Sequence, residues 1–140
     1  ISEVQILGGI PVIPWGFGKW FGSRGKKINE LIDEKSFPLF LGDNGGRSLL
    51  LPFPSQFNDA KLKGFKILPG SDPLPFQNEV SKVLSYGFTF KADISEANLW
   101  SGIKTVFLDP KFSFEVFGKL TSPFSFIRTQ IAMQIKKRNS

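Results

Sequence analysis

Residues 86–136 read YGFTFKADISEANLWSGIKTVFLDPKFSFEVFGKLTSPFSFIRTQIAMQIK, and this stretch decides the predicted fold. Three segments within it, 86–94, 111–120 and 127–136, alternate between apolar and polar side chains. A period of two puts one set of side chains on a buried face and the other in water, which is typical of an antiparallel sheet packed on a core. The predicted buried face of the last segment consists of Ile127, Thr129, Ile131, Met133 and Ile135. We therefore predict a mainly β protein: an antiparallel β-sandwich with one or two short helices and an irregular N-terminal arm, with an α+β fold as the alternative.

Between the first two segments the pattern changes to that of a helix. Ser95 is a suitable N-cap for a helix over residues 96–105, in which Leu99, Trp100 and Ile103 form an apolar stripe. A second short amphipathic helix is predicted over residues 27–34 from the spacing of its apolar positions.

The middle of the chain contains a candidate β-hairpin. Apolar runs at 37–41 and 48–51 flank the loop Gly42-Asp43-Asn44-Gly45-Gly46, whose residues tolerate positive φ. The loop could be considered for Ca²⁺, but it supplies too few oxygen ligands at alternating positions, and a turn is the better interpretation. Residues 61–68 are a further possible strand, and residues 1–7 could pair as an edge strand.

The composition excludes several classes of function, but it says less about the fold. A chain of 140 residues is expected to form one domain, and its 16 Phe residues suit a strongly apolar core. Because the sequence has no Cys and no His, disulfides, thiolate or histidine metal sites and Cys-His or Ser-His-Asp catalysis are excluded. The net charge of +6 is compatible with nucleic acid, an anionic membrane or an acidic protein as a partner, and also with a merely soluble basic protein.

Residues 1–26 are predicted to be an extended arm rich in Gly, Pro and aromatic residues, and residues 27–140 a single β-rich domain. The candidate partner-binding residues of the arm and the basic cluster that follows it are Trp15, Phe17, Lys19, Trp20, Phe21, Arg24, Lys26 and Lys27. Aromatic and basic residues in this mixture anchor protein interfaces, sit at membrane surfaces or stack on single-stranded bases. They could equally fold back to cap the core. One cation between Trp15 and Phe21 is too sparse for a nucleic-acid groove, so a protein partner or a membrane surface is favoured.

One short motif suggests a nucleotide site and another a catalytic carboxylate pair, and we reject both interpretations. Gly16-Phe17-Gly18-Lys19 lacks the glycine spacing and the hydroxyl residue of a phosphate-binding loop. Asp93 and Glu96, with Asp109 nearby, could form a carboxylate pair, but acidic residues beside a helix start more often serve the helix dipole. We predict no catalytic residues, no metal and no cofactor.

The last third of the chain resembles the late-embryogenesis-abundant type 2 domain, also called the water-stress and hypersensitive-response domain. The residues that carry the resemblance are a strand at 88–94, the helix start Asn98-Leu99-Trp100, the aromatic strand 112–120 with Gly118, and Ser122-Pro123 before a closing strand. The resemblance implies a seven-stranded immunoglobulin-like sandwich without catalytic residues, linked to stress protection or a membrane-proximal accessory role.

The sequence as a whole predicts a non-enzymatic structural or accessory subunit. It would dock on a partner protein or a membrane surface through the arm, as a peripheral membrane protein or as part of a larger complex. One alternative is a binding module for an apolar ligand such as a lipid or pigment, held between the sheets or beneath the Trp100 helix. A second alternative is a single-stranded nucleic-acid binder that uses Lys19, Arg24, Lys26 and Lys27.

Overall fold

The structure, a computed structural model, describes residues 1–35 and 38–138. Along the chain the elements are α1 (Ser2–Ile6), β1 (Val12–Pro14), α2 (Gly22–Glu34), β2 (Phe40–Asn44), α3 (Ser55–Leu62), β3 (Ile67–Gly70), β4 (Tyr86–Thr89), α4 (Leu99–Leu108), β5 (Glu115–Gly118) and α5 (Pro123–Arg138). Short 3-10 turns cover Gln77–Lys82 and Glu96–Asn98. The fold is α+β, and the predicted mainly β sandwich is wrong.

Three parallel strands form the centre of the molecule. The sheet order is β1-β2-β3, with Val12 opposite Phe40 and Leu41 opposite Ile67. Parallel neighbours need a crossover connection, and α2 and α3 supply the two crossovers. The carboxyl ends of all three strands therefore lie at one edge of the sheet.

Helices α2 and α3 cover one face of this sheet. Leu41 points to that face and is fully buried with Ile32 of α2 and Phe57 of α3. Trp20 joins the same cluster, with its ring 5.2 Å from the Phe57 ring and its indole nitrogen donating to the Pro14 carbonyl at 3.2 Å. This cluster is the best-buried part of the molecule.

An aromatic layer covers the opposite face of the sheet. Phe40 and Leu68 point to it and are buried together with Phe112. Phe88, Phe90, Phe107 and Phe114 surround them, with contacting ring centroids 4.8–6.3 Å apart. Because Phe40 and Leu41 are adjacent in β2 and point to opposite faces, the molecule has three layers.

Two of the three strands predicted in the last third do form, although each is shorter than predicted. β4 and β5 pair antiparallel, with Tyr86 opposite Gly118 and Thr89 opposite Glu115. The predicted helix between them is also present, as the Glu96–Asn98 turn followed by α4.

The third predicted strand, 127–136, is wrong, because these residues lie inside α5. Isoleucines at 127, 131 and 135 are four residues apart, a spacing that suits both a strand face and one side of a helix. The helix separates the predicted buried set: the isoleucines are exposed, whereas Thr129 and Met133 point to the protein.

The predicted edge strand at residues 1–7 is also wrong, since this segment forms α1. The irregular arm is not found either, because the same region supplies β1 and the buried Trp20. Residue 26, the predicted boundary between arm and domain, falls within α2.

The hairpin predicted from the runs at 37–41 and 48–51 is also wrong for the part that the structure describes, which begins at residue 38. β2 pairs with parallel neighbours on both sides, and Ser48 makes an isolated parallel bridge to Thr121. A strand that is buried on both faces, as Phe40 and Leu41 show, is typical of a parallel sheet. The possible strand at 61–68 is largely replaced by α3 and the following turn, and β3 begins at Ile67.

Candidate functional site

The candidate site is a cleft at the carboxyl edge of the parallel sheet. The loops that follow β1, β2 and β3 contribute Trp15, Gly46 and Asp72 to its walls, and α5 closes the side opposite the sheet. Asn44, at the end of β2, also lines it. The cleft is open to solvent and has a volume of about 510 Å³. Loops that a rigid scaffold positions often carry binding residues, and open parallel sheets bind ligands beyond the carboxyl ends of their strands.

A buried ion pair supports the loop after β2. Arg47 donates to both carboxylate oxygens of Asp43, through Nε and Nη2, each at 2.8 Å. The two residues are 5% and 6% exposed. The Tyr86 hydroxyl also donates to Asp43 Oδ2, at 3.0 Å. Such bidentate pairing fixes the direction of the loop as well as neutralising the charge.

The same contacts shift two pKa values. The hydrogen bond to Asp43, opposed in part by desolvation, raises the pKa of Arg47 above its ordinary value. Burial, followed by the charge of Asp43 and the hydrogen bond to it, raises the pKa of Tyr86 to about 12. At neutral pH Tyr86 is therefore a neutral donor and Arg47 a cation.

Asn44 ties the loops after β2 and β3 together. Its side-chain oxygen accepts a hydrogen bond from the Gly46 backbone at 2.6 Å, and its side-chain nitrogen donates to the Asp72 carboxylate. Between these contacts, Gly45 passes so close to its neighbours that a Cβ there would lie 3.0 Å from Tyr86 and 3.2 Å from Ser71. The glycine-rich sequence after β2 is thus required by the close approach of three segments.

α5 forms the outer wall of the cleft. Phe126 is buried and meets the Phe17 ring edge-on at a centroid distance of 5.2 Å. Near the other end of the helix, Lys136 donates to the Pro75 carbonyl at 3.2 Å and lies over the Phe76 ring. The helix is therefore anchored at both ends, and Met133 and polar side chains line the cleft between the anchors.

Positive charge exceeds negative charge around the cleft. The charged side chains that line it are Lys19, Asp72, Glu79, Lys82, Lys136 and Lys137. Glu79 is buried and accepts a hydrogen bond from Lys82 at 2.7 Å, so these two charges neutralise each other. The Lys19 side chain lies close over Gly16, where an added Cβ would come within 2.8 Å of its Cδ, and Lys19 lines the cleft.

The structure separates the residues that the sequence suggested for partner binding. Trp15, Phe17 and Lys19 line the cleft, and Trp20 is buried in the core. Phe21 is 71% exposed at the start of α2. The exposed surface of α2 carries three basic residues of the set, Arg24, Lys26 and Lys27. These residues therefore do not form one surface.

Sequence reasoning missed Asp43, Asn44 and Asp72 as site residues. The available signal was the polar, glycine-rich turn directly after each of two apolar segments, which marks the carboxyl edge once the strands are known to be parallel. The carboxylates Asp93, Glu96 and Asp109 are exposed, and Asp109 accepts a hydrogen bond from the Lys111 backbone, so they do not form a buried acidic pair.

The space between two sandwich sheets, one of the two places suggested for an apolar ligand, is absent from the described residues because the sandwich does not form and Phe side chains fill the region next to the parallel sheet. The other place, beneath the Trp100 helix, stays a prediction. Among residues 1–35 and 38–138, no three His, Cys, Asp or Glu side chains come together in a way that could hold a metal ion. Within the same ranges, no helix combines the length and apolarity needed to cross a bilayer.

Comparison of the chain with models of protein families, with curated proteins and with solved structures finds no match. The resemblance of the last third to the late-embryogenesis-abundant type 2 domain is thus neither supported nor refuted by a family match. The fold and the cleft define the chain as an α+β protein with a cleft at the carboxyl edge of a three-stranded parallel sheet.

Proposed function

We propose that this chain binds a small organic anion in the cleft at the carboxyl edge of its parallel sheet. The observation that carries the proposal is the convergence of three strand-end loops and α5 around one cavity of about 510 Å³. This volume lies within the range of about 300–1,000 Å³ typical of small-molecule sites.

The charges around the cleft favour an anion. Once Glu79 and Lys82 neutralise each other, Lys19 and Lys137 outnumber the single carboxylate of Asp72 in the cleft lining, while Lys136 contacts the Pro75 carbonyl and the Phe76 ring. Lysine side chains at the rim of a low-dielectric cleft attract a carboxylate or phosphate and orient it.

The rest of the lining favours a ligand that also has a flat apolar part. Trp15, Phe17 and Phe126 form an aromatic wall, and Met133 faces the cleft from α5. Aromatic and thioether groups bind planar rings through dispersion and sulfur contacts. The expected ligand therefore carries an anionic group at one end and a ring at the other.

We propose binding without catalysis. Asp43 is fully occupied by Arg47 and Tyr86, and Asp72 is hydrogen-bonded to Asn44. Each carboxylate that could act as a base near the cleft therefore has a structural contact, and His and Cys are absent from the sequence. The function requires no resident cofactor in this proposal.

Calorimetric titration with three probes tests the proposed function. A purine mononucleotide presents both an anion and a ring, its nucleoside lacks the anion, and inorganic phosphate lacks the ring. We expect the mononucleotide to bind at least about tenfold more tightly than either of the others, with an affinity that falls as salt is added.

Two lysine variants complete this test. Lys19→Gln combined with Lys137→Gln should weaken mononucleotide binding by about tenfold or more. Lys111→Gln, an exposed lysine outside the cleft, should leave it unchanged. Equal affinity for nucleotide and nucleoside, or no heat with any probe at millimolar concentration, contradicts the proposal.

Docking on a partner protein or an anionic membrane is a second candidate function. It is favoured by Phe21, which is 71% exposed beside the cations of the first turns of α2. Phe21→Ser combined with Arg24→Gln should abolish co-purification with the native partner without lowering the free energy of unfolding. Unchanged co-purification would count against this candidate.

A further inference from the structure

The outer face of α5 carries an apolar stripe that the protein itself does not cover. The stripe consists of Phe124, Ile127, Ile131 and Ile135, which are 55–79% exposed. These positions follow one another at three- and four-residue intervals, so they lie on one side of the helix.

The inner face of the same helix is the more polar one. Thr129, Gln130 and Lys137 line the cleft on that side, together with Phe126 and Met133. A surface helix ordinarily turns its apolar stripe to the core and its polar side to water. In α5 three isoleucines and a phenylalanine point away from the protein, which indicates that another surface covers them.

We infer that the outer stripe of α5 pairs with the same stripe of a second copy, with the two helices antiparallel. The stripe is self-complementary about Ile131. Ile127 and Ile135 are each four residues from this centre, and Phe124 and Arg138 are each seven residues from it. A two-fold axis at Ile131 therefore brings Ile131 against its own copy, Ile127 to the level of Ile135 in the second copy, and Phe124 to the level of Arg138.

The placement of charge also suits a second copy. The sequence of α5 contains no Asp or Glu, and its last three residues are Lys136, Lys137 and Arg138. In an antiparallel pair these basic ends lie at opposite ends of the interface, so their repulsion is small, and Arg138 meets the ring of Phe124 as a cation–π contact.

Lys136 and Lys137 line the cleft, which leaves Arg128 and Arg138 as the cations of α5 beside the stripe. These two cations would contribute little to the free energy of binding at an anionic membrane, at about 1 kcal/mol each.

The size of the stripe sets the expected affinity. Four side chains are far fewer than the roughly 20–30 residues a side of a standard interface. We therefore expect a weak dimer, largely associated at about 100 μM chain and largely dissociated at about 1 μM.

Cysteine cross-linking tests the register, because the sequence contains no Cys. Ile131→Cys should form a covalent dimer under mild oxidation, since the two thiols meet at the two-fold axis. Ile127→Cys alone should not, because its two copies are about 12 Å apart along the helices. An equimolar mixture of Ile127→Cys and Ile135→Cys should give the covalent heterodimer.

Sedimentation equilibrium tests the association itself. Ile131→Glu places two carboxylates against each other and should raise the dimer dissociation constant by at least about 100-fold. Leu62→Glu, an equally drastic change at an exposed position on α3, should leave it unchanged.

Three outcomes overturn the inference. One is a wild-type chain that stays monomeric at about 100 μM. Another is cross-linking of Ile127→Cys with itself in place of Ile131→Cys, which would mean a different register. The third is a monomer that sediments with phosphatidylserine vesicles and loses this binding in Ile131→Glu, which would assign the stripe to a lipid surface.

Discussion

The parallel unit, residues 12–70, and the carboxyl-terminal unit, residues 86–138, use their apolar side chains in different ways. The largest fully buried side chains of the described ranges, Ile32, Leu41 and Phe57, all belong to the parallel unit. In the carboxyl-terminal unit, Trp100 and Ile131 are both 56% exposed. Most of the buried apolar side chains of the described residues lie in the first unit, although Phe21 and Leu62 are exposed there, whereas Phe112 and Phe126 are the buried ones in the second unit.

This difference separates stability from recognition. Burial of a large apolar side chain contributes about 1.5–3 kcal/mol, so most of the folding free energy should come from the parallel unit. The exposed apolar surface of the carboxyl-terminal unit contributes little to folding and is available for contacts. The candidate cleft lies where the two units meet, with its floor in the parallel unit and its outer wall in α5.

The largest expected effect comes from truncating the centre of the parallel unit. Phe57 is completely buried and contacts the rings of Trp20 and Phe53. Phe57→Ala should lower the free energy of unfolding by about 3–5 kcal/mol through lost burial and the cavity left behind. Equilibrium unfolding in urea measures this change.

The matched control for that variant is Phe124→Ala in the carboxyl-terminal unit. Phe124 is 79% exposed, so its truncation at low protein concentration should change the free energy of unfolding by less than about 0.5 kcal/mol. If Phe57→Ala and Phe124→Ala lowered the free energy of unfolding equally, the two units would contribute equally to stability, contrary to the difference in their burial.

The next largest effect concerns the buried ion pair. Asp43→Ala leaves the Arg47 guanidinium buried without its carboxylate, and the expected loss is about 3 kcal/mol. Glu30→Ala removes the exposed pair with Lys27, whose side chains are 74% and 57% exposed, and should cost less than about 1 kcal/mol. A small effect of Asp43→Ala in chemical unfolding would mean that Arg47 finds water or another partner.

Some of the fold could be predicted from sequence because local patterns determine it. The helices at 27–34 and 96–105 were predicted correctly, since apolar residues at helical spacing have no equally good strand interpretation there. The alternation over 86–94 and 111–120 also predicts strands where β4 and β5 form, although the observed strands cover only Tyr86–Thr89 and Glu115–Gly118.

The errors came from patterns that fit two structures. A four-residue spacing of isoleucines satisfies a strand as well as a helix, so α5 was predicted as a strand. β2 pairs in parallel because α2 and α3 return the chain to the edge of the sheet at which each strand begins. No local sequence pattern shows this return. The same reason hid Asp43 and Asn44, which look structural in a hairpin turn. At the end of a parallel strand, Asn44 lines the cleft and Asp43 supports the following loop through Arg47.

The smallest expected effect tests the contact between the two units, through the single Tyr of the chain. Tyr86 lies in β4, and its hydroxyl donates to Asp43 at 3.0 Å, which joins the carboxyl-terminal unit to the parallel unit. Burial and the Asp43 carboxylate raise the pKa of Tyr86 to about 12. Because no other Tyr is present, the ultraviolet absorbance of tyrosinate should report this residue alone, with a midpoint near pH 12 in the folded protein.

The raised pKa also fixes the sign of the pH dependence. An unfolded Tyr has a pKa of about 10, so between about pH 10 and 12 the folded state binds the phenol proton more tightly than the unfolded state does. The contribution to stability is therefore complete below pH 10 and is lost as the pH rises toward 12, by up to about 2 kcal/mol. Lysines also lose their protons in this range, so unfolding of Tyr86→Phe over the same pH series supplies the baseline. If wild type and Tyr86→Phe lose stability in parallel, or the tyrosinate midpoint lies near pH 10, then Tyr86 does not hold the carboxyl-terminal unit to Asp43 and the two units meet through the aromatic layer instead.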